Sequence, residues 1–102
     1  MPKGVIMTKE YILNFLKENH TLLEHKYSVD TIGLFGSYAK GMADEQSDID
    51  FYVVFKQKTL DNMTGLLLYL EKGFNKKIDM LYYHPRLRKG LKQQIEKEIV
   101  YV

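Results

Sequence analysis

Gly36-Ser37-Tyr38-Ala39-Lys40-Gly41-Met42-Ala43-Asp44-Glu45-Gln46-Ser47-Asp48-Ile49-Asp50 is the stretch on which the reading of this chain turns. An apolar run, Thr31-Ile32-Gly33-Leu34-Phe35, leads into it, and a second, Phe51-Tyr52-Val53-Val54-Phe55, leads out. Where a strand turns at a glycine into the first turn of a helix, backbone N–H groups are left unpaired at the positive end of the helix dipole, and they suit an anion such as phosphate. Ser37 adds a hydroxyl donor, and Gly36 lets the backbone come close because it carries no side chain. Asp48 and Asp50 stand two apart at the head of the following strand, which sends both carboxylates to one face. Two such carboxylates repel unless something positive sits between them. Mg²⁺ binds one or two carboxylates together with substrate phosphates. A phosphate cradle and a cation site joined by one short loop amount to a site for a nucleoside triphosphate. Taken singly, Gly-Ser after a strand is more often a plain turn, and Asp-x-Asp more often a solvated pair or a cap. The order and spacing of the two carry the reading.

Gly36-Ser37, ten intervening residues, then Asp48-Ile49-Asp50 resembles the Gly-Ser-x10-Asp-x-Asp signature of the polymerase-β-like nucleotidyltransferase superfamily. The flanking Gly36-Ser37-Tyr38-Ala39-Lys40-Gly41 and Ser47-Asp48-Ile49-Asp50 look like its minimal nucleotidyltransferase (MNT) branch, and the resemblance covers most of the chain. It implies an α+β fold, a small mixed β-sheet with helices packed on it, and transfer of AMP from ATP to a hydroxyl. It further implies that Asp48, Asp50 and a third carboxylate, Asp79, are catalytic and hold two Mg²⁺ ions, with Gly36, Ser37 and Lys40 at the nucleotide. Many relatives carry arginine where this chain has Lys40, which keeps the charge but gives up a bidentate grip. MNT proteins of this kind are commonly the antitoxin partner of a helical HEPN ribonuclease, and some adenylylate a tyrosine of that toxin. A hetero-oligomer with a HEPN-type toxin is therefore expected. Two other readings stand beside it: a non-catalytic antitoxin that inhibits its partner by contact, and an aminoglycoside-type transferase with a small-molecule acceptor.

The chain has 102 residues, 45% of them hydrophobic and 13% aromatic, enough apolar material for one core and one domain spanning residues 1–102. It has no cysteine, which excludes disulfides and thiolate metal sites. The start lacks a signal-peptide core and no stretch approaches a membrane span, so a cytoplasmic protein without a membrane contact is expected. A formal charge of +2 is too small to argue for direct nucleic-acid binding.

In chain order, Thr8 caps an expected helix to about His25, with Tyr11, Ile12, Phe15, Leu16, Leu22 and Leu23 on its core face. His20 and His25 read as surface residues. Val29 to Phe35 reads as a buried strand after a Tyr27-Ser28 turn, with Gly33 marking a close backbone approach. A short helix from Ser37 to about Met42 packs Tyr38 and Ala39 inward and ends at Gly41. Asp48 to Phe55 is a central strand, apolar on both faces beyond its aspartates. Thr59 caps a helix from Leu60 to Lys72, with Leu60, Met63, Leu67 and Leu70 as its core stripe. That leaves Leu66, Leu68 and Tyr69 as surplus apolar residues, either a broad buried stripe or a docking surface. Lys76 to Tyr83 is a third strand interrupted by Asp79, which on composition alone is a partly exposed edge residue. His84-Pro85 starts a helix with Leu87, Leu91 and Ile95 facing inward. Arg86, Arg88, Lys89 and Lys92 on it form either a solvated face or a contact for triphosphate or an acidic partner. Ile99 to Val102 adds a short terminal strand.

Overall fold

A computed structural model describes residues 7–82 and 89–102, less the side chains at 91, 92 and 94. The expectations at Tyr83, His84-Pro85, Arg86, Leu87 and Arg88, and for the side chains of Leu91 and Lys92, lie outside the described residues.

Two helices precede the first strand. Thr8 caps α1 (Lys9–Glu18), its side chain accepting from the Tyr11 amide at 3.0 Å. The helix expected to run unbroken to His25 instead breaks at Asn19 and resumes as α2 (His20–Tyr27). Asn19 sits at φ −103°, ψ 8°, and its Nδ2 donates to the Phe15 carbonyl at 2.8 Å, so its side chain competes with its own backbone for that carbonyl. Its Oδ1 accepts from Tyr69 Oη at 2.7 Å, fixing the break against a later helix. Ser28, left-handed at φ 60°, ends α2 and turns the chain into β1 (Val29–Phe35).

β1 leads through α3 (Gly36–Lys40) and a loop to β2 (Ile49–Phe55), which pairs antiparallel with β1. Asp48 lies one residue ahead of β2 rather than within it as expected. Helix α4 (Leu60–Phe74) then crosses to β3 (Ile78–Tyr82), which joins β2 in parallel. After α5 (Lys89–Glu98), β4 (Val100–Tyr101) closes the other side, antiparallel to β1. The order β3-β2-β1-β4 is a mixed four-stranded sheet, with β2 central as its two-sided apolar character requires. The fold is α+β.

Along β2, Ile49, Phe51 and Val53 are fully buried and point to one face. That face meets Ile12, Leu16 and Leu23 of the first two helices and Leu66, Leu70 and Phe74 of α4 in one cluster. Phe74 is the hub, its ring 4.4 Å from Phe15 and 5.9 Å from Phe51. Asp50 and Tyr52 take the opposite face by alternation, and Tyr52 and Ile95 are buried outside the main cluster. Gly33 supports the terminal strand: a Cβ there would come within 2.6 Å of Ile99 Cγ1.

The core stripe of α4 differs from the expected one. Leu66, Leu70 and Phe74 are buried, whereas Leu60 is 77% exposed. The expected end at Lys72 is also passed, because the helix continues to Phe74 and stops at Asn75 in a left-handed conformation, φ 51°. Burying Phe74 rotates the inward face by about one residue, and this removes Leu66 from any docking surface. Leu68 remains exposed. Tyr11 and Leu22, expected inside, are exposed.

Candidate active site

Strand register aligns the candidate residues. Phe35 is opposite Asp50 in the β1–β2 pair, and Asp50 is opposite Asp79 in the β2–β3 pair. Gly36, directly after Phe35, thus stands at one end of a row whose middle is Asp50 and whose far end is Asp79. A Cβ built on Gly36 would overlap Asp50 Oδ2, so the glycine and the carboxylate are in contact. Gly36 has φ 76°, a left-handed value that glycine adopts without a side-chain penalty.

Asp50 and Asp48 are half-buried and Asp79 is exposed. Burial pushes Asp50 up from 3.8 to about 6, reinforced by the charges of Asp79 and Asp48 and by a side-chain hydrogen bond with Asp79. Asp50 therefore feels the charge of both other carboxylates, that of its near neighbour Asp48 and that of Asp79 from a distant part of the chain. Among the described residues, no three histidine, cysteine, aspartate or glutamate side chains are grouped so as to hold a metal ion as they stand. The donor chemistry nevertheless suits a hard divalent cation: carboxylate oxygens whose mutual repulsion a positive charge would relieve.

Phe35 supplies no side-chain cap to α3, unlike Thr8 and Thr59 at α1 and α4. The amides of its first turn, at Gly36 and Ser37, thus have no capping side chain as acceptor. Gly41 ends α3 at φ 72°, its N–H directed at the Ser37 and Tyr38 carbonyls. Ser37 is half-buried, and its carbonyl accepts from the Met42 amide at 2.9 Å. Lys40, at the opposite end of α3 from Gly36, has its Nζ 2.9 Å from Glu98 Oε1 of α5.

Lys76, expected only as the start of the third strand, lies two residues ahead of β3. It donates to the Glu45 carbonyl at 3.1 Å and places its ammonium 5.8 Å from the centre of the Tyr38 ring. The Ile49 amide donates to the Lys77 carbonyl at 3.2 Å. The loop before Asp48 is thereby tied both to α3 and to the start of β3. The only trace of this in the sequence is a pair of lysines just ahead of an apolar strand. A recess lined by Met7, Thr8, Lys9, Glu10, Tyr38, Gly41 and Ala43 includes none of the aspartates and is separate from the candidate site.

A mixed sheet with an uncapped glycine turn after β1, beside carboxylates on β2 and β3, is the build of a small nucleotidyltransferase. The family comparison agrees: residues 16–102 match the model of the polymerase beta nucleotidyltransferase family, and the chain belongs to that family. Among its relatives is the protein adenylyltransferase MntA of Thermococcus cleftensis, 33% identical over 98 residues, which span 95% of this chain and 98% of that protein. A solved structure described as a candidate minimal nucleotidyltransferase superposes with a TM-score of 0.73 at 30% identity, covering 95% of this chain and 98% of its own. The fold is also shared with a chain of a Shewanella oneidensis complex between a tri-AMPylated HEPN toxin and its MNT antitoxin. There the TM-score is 0.59 at 19% identity, covering 86% of this chain and 69% of that one. No helix among the described residues is long and apolar enough to cross a membrane.

Proposed function

We propose that this protein is a Mg²⁺-dependent protein adenylyltransferase that moves AMP from ATP onto a tyrosine hydroxyl of a HEPN-type toxin, and so acts as its antitoxin. The observation that carries the reading is the row across the sheet from Gly36 through Asp50 to Asp79. It brings uncapped backbone amides and carboxylates side by side, which supports a site for a Mg²⁺–triphosphate. The adenylyltransferase named among the relatives and the AMPylated toxin complex that shares the fold support the donor and the acceptor.

The reaction forms a bond from the acceptor oxygen to the α-phosphorus and breaks the bond from that phosphorus to the oxygen bridging to the β-phosphate, releasing pyrophosphate. Phosphoryl transfer asks little covalent work of a protein, which instead positions an in-line attack and neutralises charge. Asp48, Asp50 and Asp79 would hold two Mg²⁺ ions, and bound metal would neutralise charge on the entering and leaving oxygens. Gly36 and Ser37 grip the departing pyrophosphate portion through backbone amides and the serine hydroxyl. Asp79, exposed on β3 where an outside hydroxyl can reach it, takes the proton of the attacking oxygen. Lys40 supplies positive charge to the phosphates once it leaves Glu98.

The test is incubation of the purified protein with α-labelled ATP, Mg²⁺ and a co-expressed HEPN-type protein. Label on a tyrosine of that protein supports the proposal. Inhibition of the toxin without label would overturn it in favour of contact inhibition, and label passing to an aminoglycoside without any protein acceptor would overturn the assigned substrate.

A further inference from the structure

We infer that Gly36 is a positioning residue for Asp50, the space left by its missing side chain being the seat of the Asp50 carboxylate. This deepens the proposed function and rests on its reading of Asp50 as a cation ligand. A glycine at the turn into a phosphate-binding helix is ordinarily explained by the ligand's need to approach the backbone. Here the space is already used from within the chain. The three heavy atoms nearest a Cβ at position 36 all belong to Asp50: Oδ2, with which it would overlap, Cγ at 3.0 Å and Cβ at 3.2 Å.

Rotation of Asp50 about its first side-chain torsion would carry the carboxylate clear, but would also move it from the position in which it hydrogen-bonds the Asp79 side chain. The β1–β2 ladder holds Phe35 opposite Asp50, so the two backbones cannot separate to make room. Any side chain at 36 therefore displaces the carboxylate from its place beside Asp79. Gly41 provides the contrast. It has a similar left-handed φ, 72°, but nothing within 4 Å of where its Cβ would be. Backbone conformation is the whole reason for a glycine at 41, whereas at 36 the neighbour is a second and separate one.

The pair supplies its own control. Mn²⁺ binding to the full chain without nucleotide is measured by electron paramagnetic resonance for wild type, Gly36→Ala, Gly41→Ala, Asp50→Ala and the Gly36→Ala/Asp50→Ala double variant. Gly36→Ala is expected to weaken Mn²⁺ binding by at least about 10-fold, the size of loss usual when a group that orients a ligand is changed. Gly41→Ala, which carries the same backbone penalty, is expected to stay within about twofold of wild type. The double variant should bind no more weakly than Asp50→Ala alone, because the two changes act through one carboxylate. Wild-type Mn²⁺ affinity in Gly36→Ala, or additive losses in the double variant, would overturn the inference. If Gly36→Ala does not fold, recovery of folding in the double variant supports it and failure to recover overturns it. If the wild type itself holds no Mn²⁺, the cation-ligand reading of Asp50 fails, and a crystal structure of Gly36→Ala decides the positioning claim. An Asp50 carboxylate swung away from residue 36 upholds it, and one still in place beside a shifted backbone refutes it.

Discussion

Replacing Asp50 by asparagine should make the metal-free protein more stable while destroying its activity. Asp50 is raised from 3.8 to about 6 in the folded chain by burial and by the Asp79 and Asp48 carboxylates. A carboxyl raised on folding binds its proton more tightly in the folded state. Its contribution is therefore fully present below pH 3.8 and is lost as pH rises through about 6. At full strength a rise of that size corresponds to about 3 kcal/mol. Asp50 is part-exposed, so solvent screening reduces the figure to about 1 kcal/mol. Asparagine keeps the shape, removes the charge and can donate to Asp79. In chelator at pH 8, thermal unfolding followed by circular dichroism should place Asp50→Asn about 5 °C above wild type. At pH 4 the two should nearly coincide. Millimolar Mg²⁺ should close the gap at pH 8 by raising the wild type alone. A variant no more stable than wild type at pH 8, or a gap of equal size at both pH values, would refute the picture of Asp50 as a carboxylate held against its neighbours' charge.

Leu66→Ala, which truncates a fully buried side chain, should cost about 2–5 kcal/mol in urea unfolding, whereas Leu60→Ala at a 77% exposed position should change stability by less than about 0.5 kcal/mol. The reverse ranking would contradict the inward face assigned to α4. Asn19→Ala removes both the bond to the Phe15 carbonyl and the acceptor for Tyr69, and should cost about 1–3 kcal/mol in the same assay. Tyr69→Phe in the Asn19→Ala background should then cost almost nothing further. Lys40→Met should raise the KM for ATP more than it lowers kcat, by about 10-fold, and Glu98→Gln should leave kcat unchanged. A fall confined to kcat in Lys40→Met would remove Lys40 from the nucleotide.

Much of the sheet was legible because each of its strands is bounded by punctuation with a physical cause. Gly36 and the Ser28 turn delimit β1, and the acidic loop up to Asp48 sets the start of β2. The pairing of Gly-Ser with Asp-x-Asp identified the family because its spacing is chemically specific. Side-chain competition at Asn19 was harder to see, since asparagine is compatible with a helix and its preference here depends on Tyr69, fifty positions away. The stripe on α4 was misplaced by about one residue for a related reason. The helix is apolar on flanking faces, and only the aromatic hub of Phe15, Phe51 and Phe74 decides which face turns inward. Which neighbours a site residue meets was beyond sequence reading too. Neither the contact of Gly36 with Asp50 nor the pairing of Lys40 with Glu98 leaves any local pattern, because each depends on register or on docking of distant segments.

A crystal structure with Mn²⁺ and a non-hydrolysable ATP analogue would locate both halves of the site at once. Anomalous signal is expected at ions contacted by Asp48, Asp50 and Asp79, with the terminal phosphates on the Gly36 and Ser37 amides. Metal bound without one of these aspartates, or nucleotide seated in the recess beside Thr8 and Gly41, would contradict this arrangement.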